Sequence, residues 1–196
     1  MKKTFSYIKN KLAPYNGIIY FIVILLVCHF VWKFLVKGDE TDQFVSFLGI
    51  DLTPFFNFMV NHTAHATKAV LNFLGVDIQL YLNYVMKLSN DGFGIRIIWA
   101  CTGIKQAYIF FCIIAFYRGP WLKKLWYIPA GLVIVYLYNI FRISLIVAVV
   151  QNHPSWFTFL HEYVLKYLFY VIIFGMWVLW EEKFVVKKSV KIISKN

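Results

Sequence analysis

From residue 18 to residue 36 the chain is almost continuously apolar, broken only by Cys28, His29 and Lys33. Nineteen residues at 1.5 Å each reach about 28 Å, close to the roughly 30 Å hydrocarbon core of a bilayer. The run is longer than the apolar heart of a signal peptide, and no small-residue cleavage pattern follows it. It predicts a permanent first span. Residues 99–117 form a second, which reaches across only if Thr102, Lys105 and Gln106 sit at one interface. Residues 125–150 are long enough to tilt, and residues 162–180 follow with Lys166 near their start. The predicted fold class is an all-α polytopic membrane protein with about four transmembrane helices.

The stretch 37–98 has other rhythms. Phe55, Met59, His62, Ala66, Ala69 and Phe73 recur at a helical period. As a span, 55–74 would bury Asn61, His62, Thr63, His65 and Lys68. A central lysine alone costs about 2.5–3.5 kcal/mol. The pattern predicts an amphipathic helix on the outer surface, with Thr53 as N-cap and Pro54 in its first turn. Between Val76 and Leu88 the period becomes two: Ile78, Leu80, Leu82, Tyr84, Met86 and Leu88 alternate with their neighbours, as in a strand. Ser89–Gly92 reads as a turn and Phe93–Ala100 as the returning strand, a short β-hairpin leading into Cys101.

Composition narrows the class. Hydrophobic residues make up 61% and charged residues 15%, against roughly 45–50% and 25% in ordinary globular proteins. Disordered, collagen-like and disulfide-knot chains are excluded. The net charge of +11 would suit nucleic acid until its residues are located. Twelve of the twenty basic residues lie in three segments: Lys2, Lys3, Lys9 and Lys11; Arg118, Lys123 and Lys124; and five lysines from Lys183 to Lys195. Positive loops stay cytoplasmic. The pattern predicts one membrane domain over 1–196, with cytoplasmic tails 1–17 and 181–196. Residues 37–98 and 151–161 then face outside. The bilayer is the expected partner, and nucleic acid is not.

Against so few charges, Arg142 stands out. It lies eight residues before the outer end of the third span, roughly 12 Å deep. An arginine there faces a bundle interior or wet cavity and reads first as functional, with a structural pairing as the alternative. Cys101, where the hairpin meets the second span, reads equally as a nucleophile or as packing. A thiol at a helix N-terminus near Lys105 or Arg142 ionises more readily. Cys28 and Cys112 read as small buried hydrophobes. His161, where the last span begins, reads alone as an interfacial histidine more readily than as a catalyst. His29, His62, His65 and His153 have weaker cases. His62 and His65 lie three apart without a third ligand at a recognisable spacing, so no metal and no cofactor is expected. Together, Cys101, His161 and Arg142 at one membrane face make an acyl-transfer site. The thiolate attacks a carbonyl, the imidazole moves the proton, and the guanidinium holds the oxyanion.

Three motifs then resemble a known family. Ala100-Cys101-Thr102-Gly103-Ile104 resembles the exosortase/archaeosortase cysteine motif, where Ser is commoner at the Thr position. Asn139-Ile140-Phe141-Arg142-Ile143 resembles its Asn-x-x-Arg-Ile motif, and Phe159-Leu160-His161-Glu162 its histidine segment. Order and spacing match over roughly 90–180. The nearest resemblance is to compact exosortases of Bacteroidetes, of the exosortase F type, since longer members have more N-terminal spans.

The resemblance implies a membrane-embedded cysteine transpeptidase in the cytoplasmic membrane of a bacterium, its site facing outward. Its partners would be exported proteins whose C-terminal sorting signal combines a short motif, a hydrophobic helix and a basic tail. Cys101 would be the nucleophile, Arg142 the stabiliser of thiolate or oxyanion, and His161 the acid/base. Asn139 would position the guanidinium or the substrate backbone, and Thr102, Gly103 and Lys105 are further positioning candidates. Competing readings are a thiol protease or acyltransferase, and a non-catalytic membrane partner or small transporter with Arg142 lining a polar path. A disulfide-exchange enzyme is disfavoured, because no CxxC pair is present.

Overall fold

The computed structural model describes residues 16–38, 44–82, 84–88, 94–150 and 153–186. The basic stretch 1–15, the turn cluster at 89–93 and the tail from 187 to 196 lie outside the described residues.

Helix α1 (Asn16–Leu35) runs directly into β1 (Val36–Gly38), which pairs antiparallel with β2 (Val45–Phe47), and β2 with β3 (Ile50–Asp51). Helix α2 (Thr53–Phe73) follows, then β4 (Ile78–Tyr81), β5 (Val85–Leu88) and β6 (Gly94–Arg96), an antiparallel sheet in that order. A 3-10 turn, Trp99–Thr102, enters α3 (Ile104–Phe116). Helix α4 (Trp121–Val150) is the longest, and α5 (Leu165–Trp180) is flanked by π-helical turns at Phe159–Val164 and Glu181–Val186. Asn16–Leu35, Trp121–Val150 and the continuous Pro154–Val186 are each long and apolar enough to cross a membrane. The fold is that of a polytopic helical membrane protein with small β-sheets. The second expected span differs in form: α3 has 13 residues, about 20 Å. The 3-10 turn takes up the first part of 99–117.

The region before Cys101 departs from expectation in three ways. The single strand expected over 76–88 is two, because Leu82 (φ 51°) bends the backbone into a turn. The sheet β1-β2-β3 was not foreseen. Thr53 is not the N-cap of α2: Leu52 holds that place, and Thr53 Oγ1 instead accepts from the Val45 backbone N–H (3.1 Å). The Thr53 backbone N–H donates to Asp51 Oδ1 at 2.8 Å, occupying one of the helix's open donors. Hydrogen bonds from Thr53, side chain first, hold the Asp51 carboxyl below its usual range. Helix α2 itself forms over the stretch expected of it. Phe56, Val60, Thr63, Ala64, Thr67 and Leu71 face the protein, while Phe55, Phe58 and Phe73 are exposed.

Helices α1, α3, α4 and α5 share a core around Phe21, Phe110, Ile113, Phe169, Ile173 and Trp177. Lipid offers apolar side chains no less than a core does, so close backbone approach and internal hydrogen bonds must hold such a bundle. Gly131 of α4 lies flat against Phe110 of α3, where any Cβ would overlap the ring. Lys124, expected as a cytoplasmic charge, is buried. Its Nζ donates to the carbonyls of Ala115 (2.8 Å) and Tyr117 (2.6 Å), closing the C-terminal end of α3. Tyr138 Oη of α4 donates to the Leu165 carbonyl at 3.0 Å, fixing the start of α5 against α4. Ile146 and Val150 seat Leu160 and Leu165 beside it. These contacts set the height of His161 relative to Arg142.

Candidate active site

Cys101 is placed by a backbone device. Extended Ile98 (φ −109°, ψ 167°) ends the run from β6, and the Cys101 N–H donates back to its carbonyl at 2.8 Å. Thr102 Oγ1 donates to the Trp99 carbonyl at 2.7 Å, tightening the same turn. Gly103 then takes the left-handed conformation (φ 77°), and its carbonyl accepts from Ala107 N–H at 2.9 Å to open α3. A side chain at 103 would be strained by that φ and would meet Asn139 Cγ at 2.9 Å. The missing Cβ lets the Cys101 turn lie on α4, where Asn139 Nδ2 donates to the Cys101 carbonyl at 2.8 Å. Asn139 is fully buried, and its Oδ1 has no partner among the described residues.

One turn further along α4, Arg142 is 7% exposed. Its Nε has no hydrogen-bond partner, and no carboxylate pairs with it among the described residues. The structural pairing that would have made it unremarkable is not found there. A buried guanidinium without a counter-ion is costly, and is retained where a charge is to be met.

His161 comes from the π-helical turn that begins the last long helix, a distortion frequent at functional sites. Its Nδ1 lies 2.9 Å from Glu162 Oε1, while Glu162 Oε2 accepts from Lys166 Nζ at 2.9 Å. The carboxylate engages Nδ1 and so fixes the ring, with Nε2 as its other nitrogen. Phe157 stacks on the imidazole, with centroids 5.2 Å apart and planes 11° from parallel. The Arg142 charge is close enough to act on His161.

These elements meet in one cavity of about 40 Å³, whose walls include Cys101, Arg142, His161, Arg96, Ile143 and Phe157. Three side chains from three separate elements, singled out by motif order, thus line the same small space. The family model for transmembrane exosortases (Exosortase_EpsH) matches residues 43–179, well over half of the chain. The chain belongs to the transmembrane exosortase family. In general terms an exosortase is a membrane cysteine transpeptidase. No curated protein and no solved structure matches the chain.

The other candidates divide. Asn139, Thr102 and Gly103 build the exosortase cysteine turn without lining the cavity. Lys105 points into a neighbouring cavity with Lys33. Cys28 and Cys112 are buried together in the helix core, as packing residues would be. His62 lies 3.3 Å from Tyr136 Oη, and no group of three or more metal-ligating side chains occurs among the described residues. Sequence reasoning missed Arg96 and Phe157. Phe157 was legible as a ring four residues before His161. Arg96 alternates with Ile95 and Ile97 in the strand pattern, yet all three border the cavity, with Arg96 over the Tyr84 ring at 5.4 Å.

Proposed function

We propose that this exosortase cleaves C-terminal sorting signals of exported proteins and transfers them to an acceptor, with Cys101, His161 and Arg142 as its catalytic residues. The observation that carries the reading is the shared cavity: the three side chains line one space beside a thiol-bearing turn. Its volume of about 40 Å³ has room for a reacting carbonyl and a few waters.

In the first half-reaction the Cys101 thiolate attacks the scissile carbonyl carbon, forming a C–S bond. Arg142 faces the oxygen that becomes negative. His161, having taken the thiol proton, returns it to the departing amine as the C–N bond breaks. A thioester remains on Cys101. In the second half-reaction an acceptor nucleophile gives its proton to His161, attacks the thioester carbonyl, and restores the thiol. Water as acceptor gives hydrolysis, and an amine gives transfer.

The substrate proposed is a membrane-anchored chain with an apolar C-terminal helix and a basic tail, presented at the outer face of a bacterial cytoplasmic membrane. The orientation rests on the lysine-rich segments. The test follows the C-terminal signal of a candidate substrate in cells carrying wild type, Cys101→Ala or His161→Ala. Uncleaved substrate in both variants is expected. Normal processing by Cys101→Ala overturns the reading, and the same variant silent beside a defective Arg142→Ala would favour a solute path.

A further inference from the structure

The molecule has a second polar cavity on the Cys101 side. It encloses about 240 Å³ between the end of α1, the start of α2 and the start of α3. Trp32, Lys33, Phe56, Trp99, Ala100 and Lys105 line it. Lys33 and Lys105 bring two ammonium groups to one space, and neither makes a hydrogen bond or ion pair among the described residues. Their charges act on each other, and that of Lys166 acts on Lys105 as well. Two like charges converging without a counter-ion repel, so the arrangement is complementary to an anion.

The remaining walls say what kind of anion. Trp32, Val36 and Phe56 also border an apolar groove of about 270 Å³, with Val31, Leu35 and Tyr108 on its other side. Val31 and Tyr108 in turn border a further apolar groove of about 490 Å³, which follows α1 down to Tyr20. Leu35 and Tyr20 lie fifteen helical steps apart, about 22 Å, enough for an acyl chain crossing one leaflet of a roughly 30 Å core. Tryptophans at the level where cations meet apolar surface are characteristic of the headgroup zone.

We propose that this is a phospholipid site. One glycerophospholipid of the leaflet on the Cys101 side places its phosphate between Lys33 and Lys105 and lays an acyl chain along the α1–α3 groove. The site is distinct from the cavity of Cys101, Arg142 and His161, and the proposal does not depend on the reaction they perform. Because Ala100 lines it, a bound headgroup lies one residue along the chain from the candidate nucleophile. Lys105 is thereby assigned to the lipid rather than to a peptide substrate.

Native mass spectrometry of the full chain, extracted in detergent and delipidated, tests this by titration with phosphatidylglycerol. Wild type is expected to hold one phospholipid against collisional activation. Lys33→Gln/Lys105→Gln is expected to weaken it by at least about tenfold, the scale of one lost charge-assisted contact. Leu35→Trp, which fills the groove and keeps both charges, is expected to weaken it as well. Lys37→Gln, on the exposed strand β1, should match wild type. Circular dichroism checks that each variant keeps its helix content, and single lysine variants replace the double one if it does not. Equal retention by the lysine variants overturns the proposal. So does equal binding of diacylglycerol, which lacks the phosphate, or full displacement by inorganic phosphate, which would make this a free-anion site. An unaffected Leu35→Trp removes the acyl chain from the groove and overturns it too.

Discussion

The Asn139 side-chain amide donates a 2.8 Å hydrogen bond to the backbone carbonyl of Cys101, one helical turn from the buried Arg142. A single face of α4 thus holds the thiol-bearing turn and presents the guanidinium to the same cavity. The Asn-x-x-Arg spacing has a physical meaning: three residues apart on a helix, one side chain docks the Cys101 backbone while the other lines the cavity that Cys101 borders.

Asn139→Ala removes that donor from the part-buried Cys101 carbonyl, at a cost of about 1 kcal/mol. The expected outcome is a fall in kcat of roughly ten- to a hundredfold with little change in KM, because the turn and not substrate binding is disturbed. Asn139→Asp, which keeps the shape and loses the donor, should resemble the alanine variant. A KM effect equal to the kcat effect would assign Asn139 to substrate binding instead.

Gly103→Ala tests the other side of the same contact. The left-handed backbone costs a non-glycine residue roughly 1–2 kcal/mol. The added Cβ would also press on Asn139 Cγ, 2.9 Å away. Processing should fall at least as far as in Asn139→Ala, while the variant still inserts and keeps its helix content. Full activity would show that the close approach is dispensable.

Glu162 is expected to matter more than Lys166, although they pair with each other. The Glu162–Lys166 bridge is about half exposed on both sides, and such pairs contribute roughly 0–1 kcal/mol. The Glu162–His161 contact instead fixes the imidazole that faces the cavity. Glu162→Ala should lower kcat about tenfold or more, the scale of a lost orienting hydrogen bond, and Lys166→Ala less than threefold. Measuring both variants under single-turnover conditions separates them, and equal losses would place the whole network, not the ring's orientation, behind the effect.

Much of this was legible before any coordinates. The apolar runs gave the membrane class, and the three motifs named the residues of one cavity. The protein-facing stripe of α2 was not legible. Exposed Phe55 and Phe73 and protein-facing Val60 and Leu71 are all apolar, so helical period alone does not say which stripe packs inward. Sheet β1-β2-β3 escaped because strands of two or three residues are too short to show a period. The Leu82 turn escaped because it keeps the alternation on either side intact and carries no Gly or Pro. Arg96 escaped because its role comes from where β6 ends in space, not from its place in the strand pattern.

Gly131→Leu should weaken the bundle without touching the cavity. The new side chain would have to displace Phe110, buried between α3 and α4. Overpacking of this kind costs about 1–3 kcal/mol or more. A thermal-shift measurement in detergent should show a lower midpoint, and protein that remains folded should keep normal kcat. An unchanged midpoint would mean that α3 and α4 cross elsewhere.

Arg142 separates function from stability. Its Nε is buried without a partner and no carboxylate neutralises it among the described residues, so folding carries the cost of an uncompensated charge. Arg142→Met removes the charge and roughly keeps the length. If the arginine serves chemistry, this variant should stop processing while its melting midpoint stays level or rises. Arg142→Lys keeps a positive charge but replaces a planar fork with a point charge, so it should remain defective by about a hundredfold or more in kcat. A purely structural arginine predicts the reverse: a lower midpoint in Arg142→Met and substantial rescue of both stability and activity by Arg142→Lys. Thermal midpoints and single-turnover rates on the same two variants decide between these outcomes.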